Sequence, residues 1–309
     1  MNTPDPDWSL YRSFLAVLQE KSLSGAARSL NLTQPTLARH IDALEAAIGF
    51  ELFTRSQQGL LPTEAALELA PLAENLAANA AAILRTASGV GRAVKGTVRV
   101  SASQIVGAEI LPPILAGLRR SHPALEFELV LSNAVDNLLR RDADIAVRMV
   151  EPAQEALMVR KLGSVTLGLY AHRDYLAHAG TPSTFADLAQ HSLIGFDRET
   201  PALRALRSRV PGAETMHFCL RADSDIAQLR AIKTGFGIGF CQTGLASRAP
   251  GLVRLLPDAF ALKLGVWLAM HENLRATPRC RAVFDGLAAG LLEFVEPAMA
   301  SRNPGPSAG

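Results

Sequence analysis

The stretch TQPTLARHI, residues 33–41, predicts a short helix with one apolar and one polar face. Thr33 is a favourable N-cap because its hydroxyl can accept a hydrogen bond from an unpaired amide, and Pro35 falls in the first turn, where its missing N–H loses no helical bond. Apolar residues recur at steps of four, three and four, which predicts a buried stripe of Leu37, Ile41, Leu44 and Ile48. The opposite face carries Gln34, Thr36, Arg39 and His40. Gly49 is expected to end the helix.

A shorter helix precedes this one and is expected to pack closely against it. Ser24 is its predicted cap, and Ala26 and Ala27 are small enough to allow close approach. Asn31 and Leu32 make a tight turn, and two short helices joined in this way predict a helix-turn-helix. A β-hairpin, or wing, is expected next, because two apolar runs flank a polar segment that contains a glycine. Its strands are residues 51–54 and 60–62, and its tip is residues 55–59.

Residues 22–66, SLSGAARSLNLTQPTLARHIDALEAAIGFELFTRSQQGLLPTEAA, resemble the DNA-binding domain of LysR-type transcriptional regulators. The matching marks are the paired alanines, the Gln-Pro at the start of the second helix, the Leu-Phe-x-Arg of the wing and the Leu-x-Pro-Thr-Glu-Ala exit. Two positions depart from the family pattern. Ala38 stands where many members have a serine, and Ala66 stands where glycine is usual.

The resemblance implies that the polar face of this helix enters the major groove of double-stranded operator DNA. Glutamine and arginine can each make two hydrogen bonds to a base edge, so Gln34 and Arg39 are the expected base readers, and Arg55 in the wing is expected to reach a phosphate or the minor groove. The full candidate set is Thr33, Gln34, Pro35, Thr36, Arg39, His40 and Arg55. Residues 1–95 carry eight Lys/Arg and nine Asp/Glu. Binding is therefore expected to depend on a few well-placed groups rather than on a basic surface.

Residues 63–95 predict a long helix followed by a hinge. Thr63 can cap this helix, and a heptad seam recurs at steps of three and four: Leu69, Leu72, Leu76, Asn79 and Ile83. A helix of roughly thirty residues cannot bury such a stripe alone, which favours pairing with a second copy; packing against its own domain is the alternative. In the resembling family this helix forms an antiparallel dimer contact, which implies a homodimer or a homotetramer. Three glycines between residues 89 and 96 indicate the hinge.

From Thr97 onward, strand patterns alternate with helix patterns, which is typical of an α/β fold with a parallel sheet covered by helices. The segments GTVRVSAS, DADIAVR and TGFGIGF occur in the order found in the LysR regulatory domain, which is like a type 2 periplasmic binding protein. That resemblance implies two α/β lobes joined by crossovers near Leu162 and Lys263. The predicted strands are 98–100, 125–131, 145–149, 165–171, 193–196, 217–221, 237–241 and 264–270. The predicted helices are 105–120, 135–140, 185–188, 225–233 and 278–292.

The expected organisation has four parts. Residues 1–62 form a winged helix-turn-helix, and residues 63–95 form the linker helix and hinge. Residues 96–297 form an effector-binding domain, with lobe I at about 96–162 and 264–297 and lobe II at about 163–263. Residues 298–309, rich in proline and small residues, are expected to be a disordered tail.

Ligands of open α/β sheets bind beyond the carboxyl ends of the strands. The residues expected there are Ser101, Ser103, Gln104, Ser132 and Arg148 from lobe I, and Phe196, Asp223 and Ser224 from lobe II. Hydroxyls, free helix amides and a guanidinium indicate a small organic anion as effector. Each residue has a structural alternative: Ser103 and Asp223 as helix caps, Arg148 in a surface salt bridge, and Phe196 in the core.

Other functions find little support in the sequence. It contains no GxSxG, HExxH or Walker pattern and no CxxC pair, so neither an enzyme nor a metal or cofactor is expected. Reduced, mostly buried thiols are expected for the three cysteines, with a redox pair of Cys219 and Cys241 as the alternative. No apolar run is long enough for a membrane span and residues 1–9 do not resemble a signal peptide, which predicts a cytoplasmic protein.

The sequence therefore predicts a LysR-type transcriptional regulator, for which RNA polymerase is a further candidate partner. The alternative is a small-molecule sensor with degenerate DNA binding that acts through protein partners, which Ala38 and the slightly acidic N-terminal region favour.

Overall fold

The structure is a computed structural model that describes residues 5–56, 59–88, 93–133, 143–152, 157–198, 204 and 216–295. The chain forms two compact units. Among the described residues, those up to 86 belong to the first, and those from 87 to 295 belong to the second.

The first unit contains a helix-turn-helix, a hairpin and a long helix. Its elements are α1 (Trp8–Glu20), α2 (Leu23–Ser29), α3 (Gln34–Ile48), β1 (Phe53–Ser56), β2 (Gly59–Pro62) and α4 (Glu64–Ser88). The predicted stripe of α3 is confirmed: Leu37 and Leu44 are fully buried and Ile41 is nearly so. They pack against Phe14 and Val17 of α1. Gly49 ends α3 with φ +85°, a conformation that glycine adopts without strain.

The cap of α2 differs from the prediction. Ser22, not Ser24, is the N-cap, and its hydroxyl accepts a hydrogen bond from the amide of Gly25 at 3.1 Å. Ser24 already lies inside the helix. Because Ser22 and Ser24 both precede the same small residues, the sequence did not show which of them begins the helix.

The wing is an antiparallel hairpin whose second strand contacts the end of α1 close to the turn. Strands β1 and β2 pair with Phe53 opposite Pro62, and the amide of Leu60 donates to the carbonyl of Lys21 at 3.1 Å. At Gly59 a Cβ would lie 2.7 Å from that carbonyl oxygen, so this position requires glycine. On the other side, the Glu45 carboxylate accepts from the amide of Leu52 at 2.6 Å, which ties α3 to the start of the wing.

Helix α4 begins at the predicted cap, since the hydroxyl of Thr63 accepts from the amide of Ala66 at 3.2 Å. Its N-terminal part packs on the core of the first unit through Leu69 and Ala73. Other large apolar side chains of α4 are exposed: Leu67, Leu72, Leu76, Ile83 and Leu84. The hinge glycines at 89 and 91 lie outside the described residues.

The second unit is built on a mixed seven-stranded sheet in the order β10-β6-β11-β5-β3-β4, with β9 also paired to β6. Strand β3 is parallel to β4 and β5, while β6 and β11 are antiparallel to their neighbours. A parallel pair, β7 and β8, lies apart. The strands are β3 (Gly96–Ala102), β4 (Leu125–Leu131), β5 (Ile145–Arg148), β6 (Leu157–His172), β7 (Leu193–Gly195), β8 (Phe218–Arg221), β9 (Gly239–Gln242), β10 (Leu252–Leu255) and β11 (Leu262–His271).

The α/β class is confirmed, but the sheet is not the parallel one expected. The helices are α5 (Leu111–Ser121), α6 (Arg173–Ala179), α7 (Asp225–Lys233), α8 (Thr243–Ala246) and α9 (Pro278–Leu292). A π-helical turn, Val106–Ile110, precedes α5 where a continuous helix was predicted. Pro112 and Pro113 supply no amide protons there, which favours a wider turn. The predicted helix 135–140 and the tail 298–309 lie outside the described residues.

The predicted crossovers near Leu162 and Lys263 lie within strands, not loops. Strands β6 and β11 pair antiparallel from Leu157 opposite His271 to Leu167 opposite Leu262, with a register shift between Val266 and Trp267. The two lobes of this unit are therefore linked by a paired ribbon of strands, which we call the β6–β11 ribbon.

Candidate functional site

The outer face of α3 presents exposed Gln34, Pro35 and Arg39. Within the part of the chain that the structure describes, the side chains of Gln34 and Arg39 make no hydrogen bond or ion pair. Their amide and guanidinium groups are thus available for a ligand that offers acceptors and donors in a plane, as a base edge does.

Thr33 and Thr36 shape the start of this face. The hydroxyl of Thr33 accepts from the amide of Thr36 at 3.3 Å and lies 2.8 Å from the hydroxyl of Thr36. Both hydroxyls therefore take part in the N-cap. The cap fixes the backbone at the start of α3, and with it the positions of Gln34 and Pro35.

His40 is half-buried, and its Nδ1 lies 2.8 Å from the hydroxyl of Ser13 on α1. The predicted wing contact, Arg55, pairs with Leu60 across the hairpin, but its side chain lies outside what the structure describes.

At the second candidate site, Arg148 ends β5 beside the end of β3. Its guanidinium is buried, with 2% of the residue exposed, and Nη2 donates to the hydroxyl of Ser101 at 2.8 Å. The carbonyl of Val147 accepts both from Nη1 of Arg148 at 3.1 Å and from the amide of Ser103 at 3.3 Å. This shared carbonyl brings Ser103 next to the guanidinium. Burial lowers the pKa of Arg148, since removal from water disfavours the charged form.

Two donors of this cluster are buried without a partner: Nε of Arg148 and the hydroxyl of Ser103. Among the described residues, no carboxylate forms an ion pair with Arg148. The surface salt bridge considered for Arg148 is therefore wrong, and so is the hydroxyl cap considered for Ser103. A buried guanidinium without an anion is costly, and a bound oxyanion could satisfy both donors.

A polar network joins the two lobes beside this cluster. From lobe I, the amide of Gln104 donates to the Asn133 side chain at 3.1 Å, and Nδ2 of Asn133 donates to the Asp225 carboxyl at 2.6 Å. From lobe II, the Ser224 hydroxyl and the Asp225 amide each donate to Oε1 of Gln104 at 3.0 Å. The Gln104 amide was expected to be free for an anion, but the network already uses it.

Burial raises the pKa of Asp225, and the hydrogen bond from Asn133 offsets part of that effect. Asp225 was not among the predicted site residues. The sequence signals were present, since Asn133 follows β4 and Asp225 opens α7, but the closure that brings them together joins positions 92 residues apart.

The remaining predicted ligand contacts are Ser132, Phe196 and Asp223. Ser132 is half-buried and its amide donates to the carbonyl of Ala102 at 2.9 Å. Phe196 is half-buried after β7, and Asp223 is exposed. Asp223 is not the cap of α7, as had been considered, because Ser224 takes that position.

Alternative chemistries find no site in the described part of the chain. There, no group of three or more metal-ligating side chains comes together. None of the three cysteines, all of which lie in the described part of the chain, forms a disulfide: Cys219 is exposed, while Cys241 and Cys280 are buried. Burial raises the pKa of Cys241 to about 11, which disfavours a reactive thiolate. None of the described helices combines the length and apolar character needed to cross a membrane.

Comparison with known families covers both parts of the chain. Residues 8–67 match the family of bacterial regulatory helix-turn-helix proteins of the lysR type, and residues 91–291 match the LysR substrate binding domain. The chain belongs to the LysR family. It carries the helix-turn-helix and the substrate-binding domain of that family, as the resemblance implied.

Relatives of this LysR-family regulator align over different lengths. It is 28% identical to the transcriptional regulator CrgA of Neisseria meningitidis serogroup C over 183 residues, which are 59% of this chain and 61% of CrgA. With PtxR of Pseudomonas aeruginosa it shares 28% identity over 283 residues, 89% of this chain and 90% of PtxR. The alignment with the first of these relatives thus spans about three fifths of that protein.

Solved structures of LysR regulators share the fold. The virulence activator AphB of Vibrio cholerae matches with a TM-score of 0.60 and 21% identity, over 92% of this chain and 99% of AphB. CbnR in complex with its target DNA matches with a TM-score of 0.62 and 19% identity, over 92% of this chain and 99% of CbnR.

Proposed function

We propose that this LysR-family regulator binds double-stranded operator DNA through the outer face of α3 and the wing. Gln34 and Arg39 read base edges in the major groove, because both are exposed and uncommitted to the described chain. Thr33, Pro35 and Thr36 lie against the DNA backbone at the start of the helix, and Arg55 contacts a phosphate or the minor groove from the wing.

The effector in this proposal is a small organic anion bound at the ends of β3 and β5. The observation that carries it is the buried guanidinium of Arg148, which lacks an anionic partner among the described residues and keeps one donor unsatisfied. A carboxylate could accept from Nε of Arg148 and from the hydroxyl of Ser103 at once. Ser101 holds the guanidinium in place, and Gln104, Ser132, Phe196, Asp223 and Ser224 are the proposed surrounding contacts.

The signal in this proposal passes from the cleft to the DNA through the oligomer. An anion beside the network of Gln104, Asn133 and Asp225 changes how the lobes meet, since those hydrogen bonds cross between them. The exposed seam residues of α4, Leu72, Leu76 and Ile83, pair with a second copy, as a homodimer or homotetramer requires. RNA polymerase is the proposed further partner, and the cytoplasm is the proposed location.

The test is footprinting of the DNA upstream of the regulator's own gene, at physiological salt, with and without a panel of small carboxylic acids. We expect a long protected region with a partly palindromic sequence that one class of acid alters. Protection that no acid alters would contradict the proposed effector and leave the DNA contact standing. Absence of protection would contradict the DNA contact and favour a sensor that acts through protein partners.

A further inference from the structure

The contact between α1 and α3 determines which ring nitrogen of His40 carries a proton. The hydroxyl of Ser13, fully buried on α1, lies 2.9 Å from the carbonyl oxygen of Ser9 and 2.8 Å from Nδ1 of His40. A serine hydroxyl has one proton to donate and lone pairs with which to accept.

The two distances decide where that proton goes. Two oxygens 2.9 Å apart repel unless a proton lies between them, and a carbonyl oxygen carries none. Ser13 must therefore donate to Ser9, which leaves it as the acceptor for His40. His40 consequently carries its proton on Nδ1. In the neutral imidazole, Nε2 is then an acceptor only.

The remaining nitrogen of His40 is directed away from this contact. Nε2 makes no hydrogen bond within the described chain, and it is not among the buried atoms without partners. His40 lies beside exposed Arg39 on α3 and one turn after Thr36, on the side of the outer face next to α1. That position suits a phosphate at the edge of the major groove rather than a base at its centre.

We propose that Ser13 is a positioning residue for DNA binding, which holds His40 so that Nε2 contacts a DNA phosphate only when the imidazole is protonated. The inference rests on the proposed DNA-binding function. A phosphate oxygen accepts hydrogen bonds and cannot donate one. Since Ser13 keeps the first proton of His40 on Nδ1, the contact at Nε2 requires a second proton, and DNA binding takes up that proton from solution.

Charged groups on the packed elements surround His40. Asp7, the N-cap of α1, interacts electrostatically with His40. Arg12 on α1, Arg28 on α2 and Arg39 on α3 are exposed cations of the packed elements. Comparison of a His40 variant with the unaltered protein separates the contribution of the imidazole from that of these groups.

The experiment measures affinity against pH for the full-length protein, by fluorescence anisotropy at constant ionic strength. The probes are a duplex of the DNA upstream of its own gene and a scrambled duplex of equal length. We expect binding to weaken about tenfold from pH 6 to pH 8, the worth of one charge-assisted hydrogen bond. Both duplexes should show the effect, because a phosphate carries no sequence information.

His40→Gln is the matched variant. Its amide donates at every pH, so its affinity should not change between pH 6 and 8, although the other six histidines remain in the chain. Ser13→Ala should keep the fold by circular dichroism and flatten the pH profile, because the neutral ring can then carry its proton on Nε2. The ¹⁵N shifts of His40 should report the proton on Nδ1 in the unaltered protein and a mixture in this variant.

Three results would overturn the inference. The first is sequence-specific binding that does not vary with pH, which leaves the proposed function intact. The second is a wild-type His40 with its proton on Nε2. The third is absence of binding to either duplex at every pH, which contradicts the proposed function and this inference together.

Discussion

At the scale of single residues, this regulator separates side chains that hold the fold from side chains left uncommitted. The side chains of Thr33 and Glu45 accept hydrogen bonds from backbone amides. The side chains of Gln34 and Arg39 on the same helix make no hydrogen bond within the described chain. In the second unit, Ser101 supports Arg148 while Ser103 has no partner. Substituting an uncommitted residue should therefore change binding more than folding.

Arg39→Ala should abolish specific operator binding without lowering the melting temperature, because the guanidinium is exposed and supports no other described residue. A bidentate arginine–guanine pair contributes about 1–3 kcal/mol of discrimination, roughly 5- to 150-fold in affinity per site. A gel-shift assay at physiological salt measures this. Arg281→Ala is the control, since Arg281 is an exposed arginine on α9. A sequence-specific shift retained by Arg39→Ala would contradict the base contact.

Ser103→Ala should weaken the effector response about tenfold. The free energy of unfolding should stay unchanged or rise by about 1 kcal/mol, because the hydroxyl that is removed is buried and makes no hydrogen bond in the described chain. Calorimetric titration with the active acid and urea unfolding measure the two quantities. Thr243→Val removes another buried, unpartnered hydroxyl, at the start of α8, and should leave the effector affinity unchanged. Equal responses in the two variants would move the ligand away from Ser103.

At the scale of elements, most helices and strands were found close to their predicted bounds. The observed bounds of α7 and α9 coincide with the predicted 225–233 and 278–292, and those of β4 coincide with 125–131. Helices α6 and α8 and strand β10 were not predicted, and β10 pairs with β6, some 80 residues away. In the site, neighbouring strand ends predicted Ser101, Ser103 and Arg148, whereas the contact of Asp225 with Asn133 joins positions 92 residues apart.

Helix α4 carries the prediction at this scale. Ile83→Glu should convert the oligomer to a smaller species at micromolar concentration, because Ile83 is 68% exposed in the single chain and a paired helix would bury it. The cost of placing a charge there exceeds the roughly 1.5–3 kcal/mol that burial of the isoleucine contributes. Analytical ultracentrifugation measures the change, with circular dichroism to verify the helix. Leu67→Glu, on the opposite side of α4, is the control and should keep the oligomer. Equal masses for all three proteins would argue against pairing through this seam.

At the scale of the whole molecule, the hydrogen-bond network between the lobes links their closure to protonation. The folded state raises the pKa of Asp225 by burial, so the folded chain holds that proton more tightly than the unfolded chain does. Its contribution to stability is complete below the ordinary value of 3.8 and is lost as the pH rises through the raised value. At neutral pH the ionised Asp225 carboxylate in this network therefore lowers the stability of the folded state.

Asp225→Asn should stabilise the protein at pH 7, by roughly 1 kcal/mol or about 2–4 °C in Tm, because the amide still accepts from Asn133 and cannot ionise. The advantage should shrink as the pH falls toward 4. Differential scanning calorimetry across that range measures it, and Asp223→Asn, an exposed neighbour, is the control. A variant that gains nothing at pH 7, or gains more at pH 4, would show that the carboxyl is not the strained group.

The β6–β11 ribbon has a consequence for how effectors diversify. Two strands that run side by side through the lobe boundary, with one register shift, resist bending but permit torsion about their shared axis. If the proposed function holds, we expect motion of one lobe to be mainly a rotation about this axis. Residues at the strand ends could then be exchanged for others of different ligand preference without a change in the ribbon. A new effector would therefore require new side chains at the strand ends and no change in the β6–β11 ribbon.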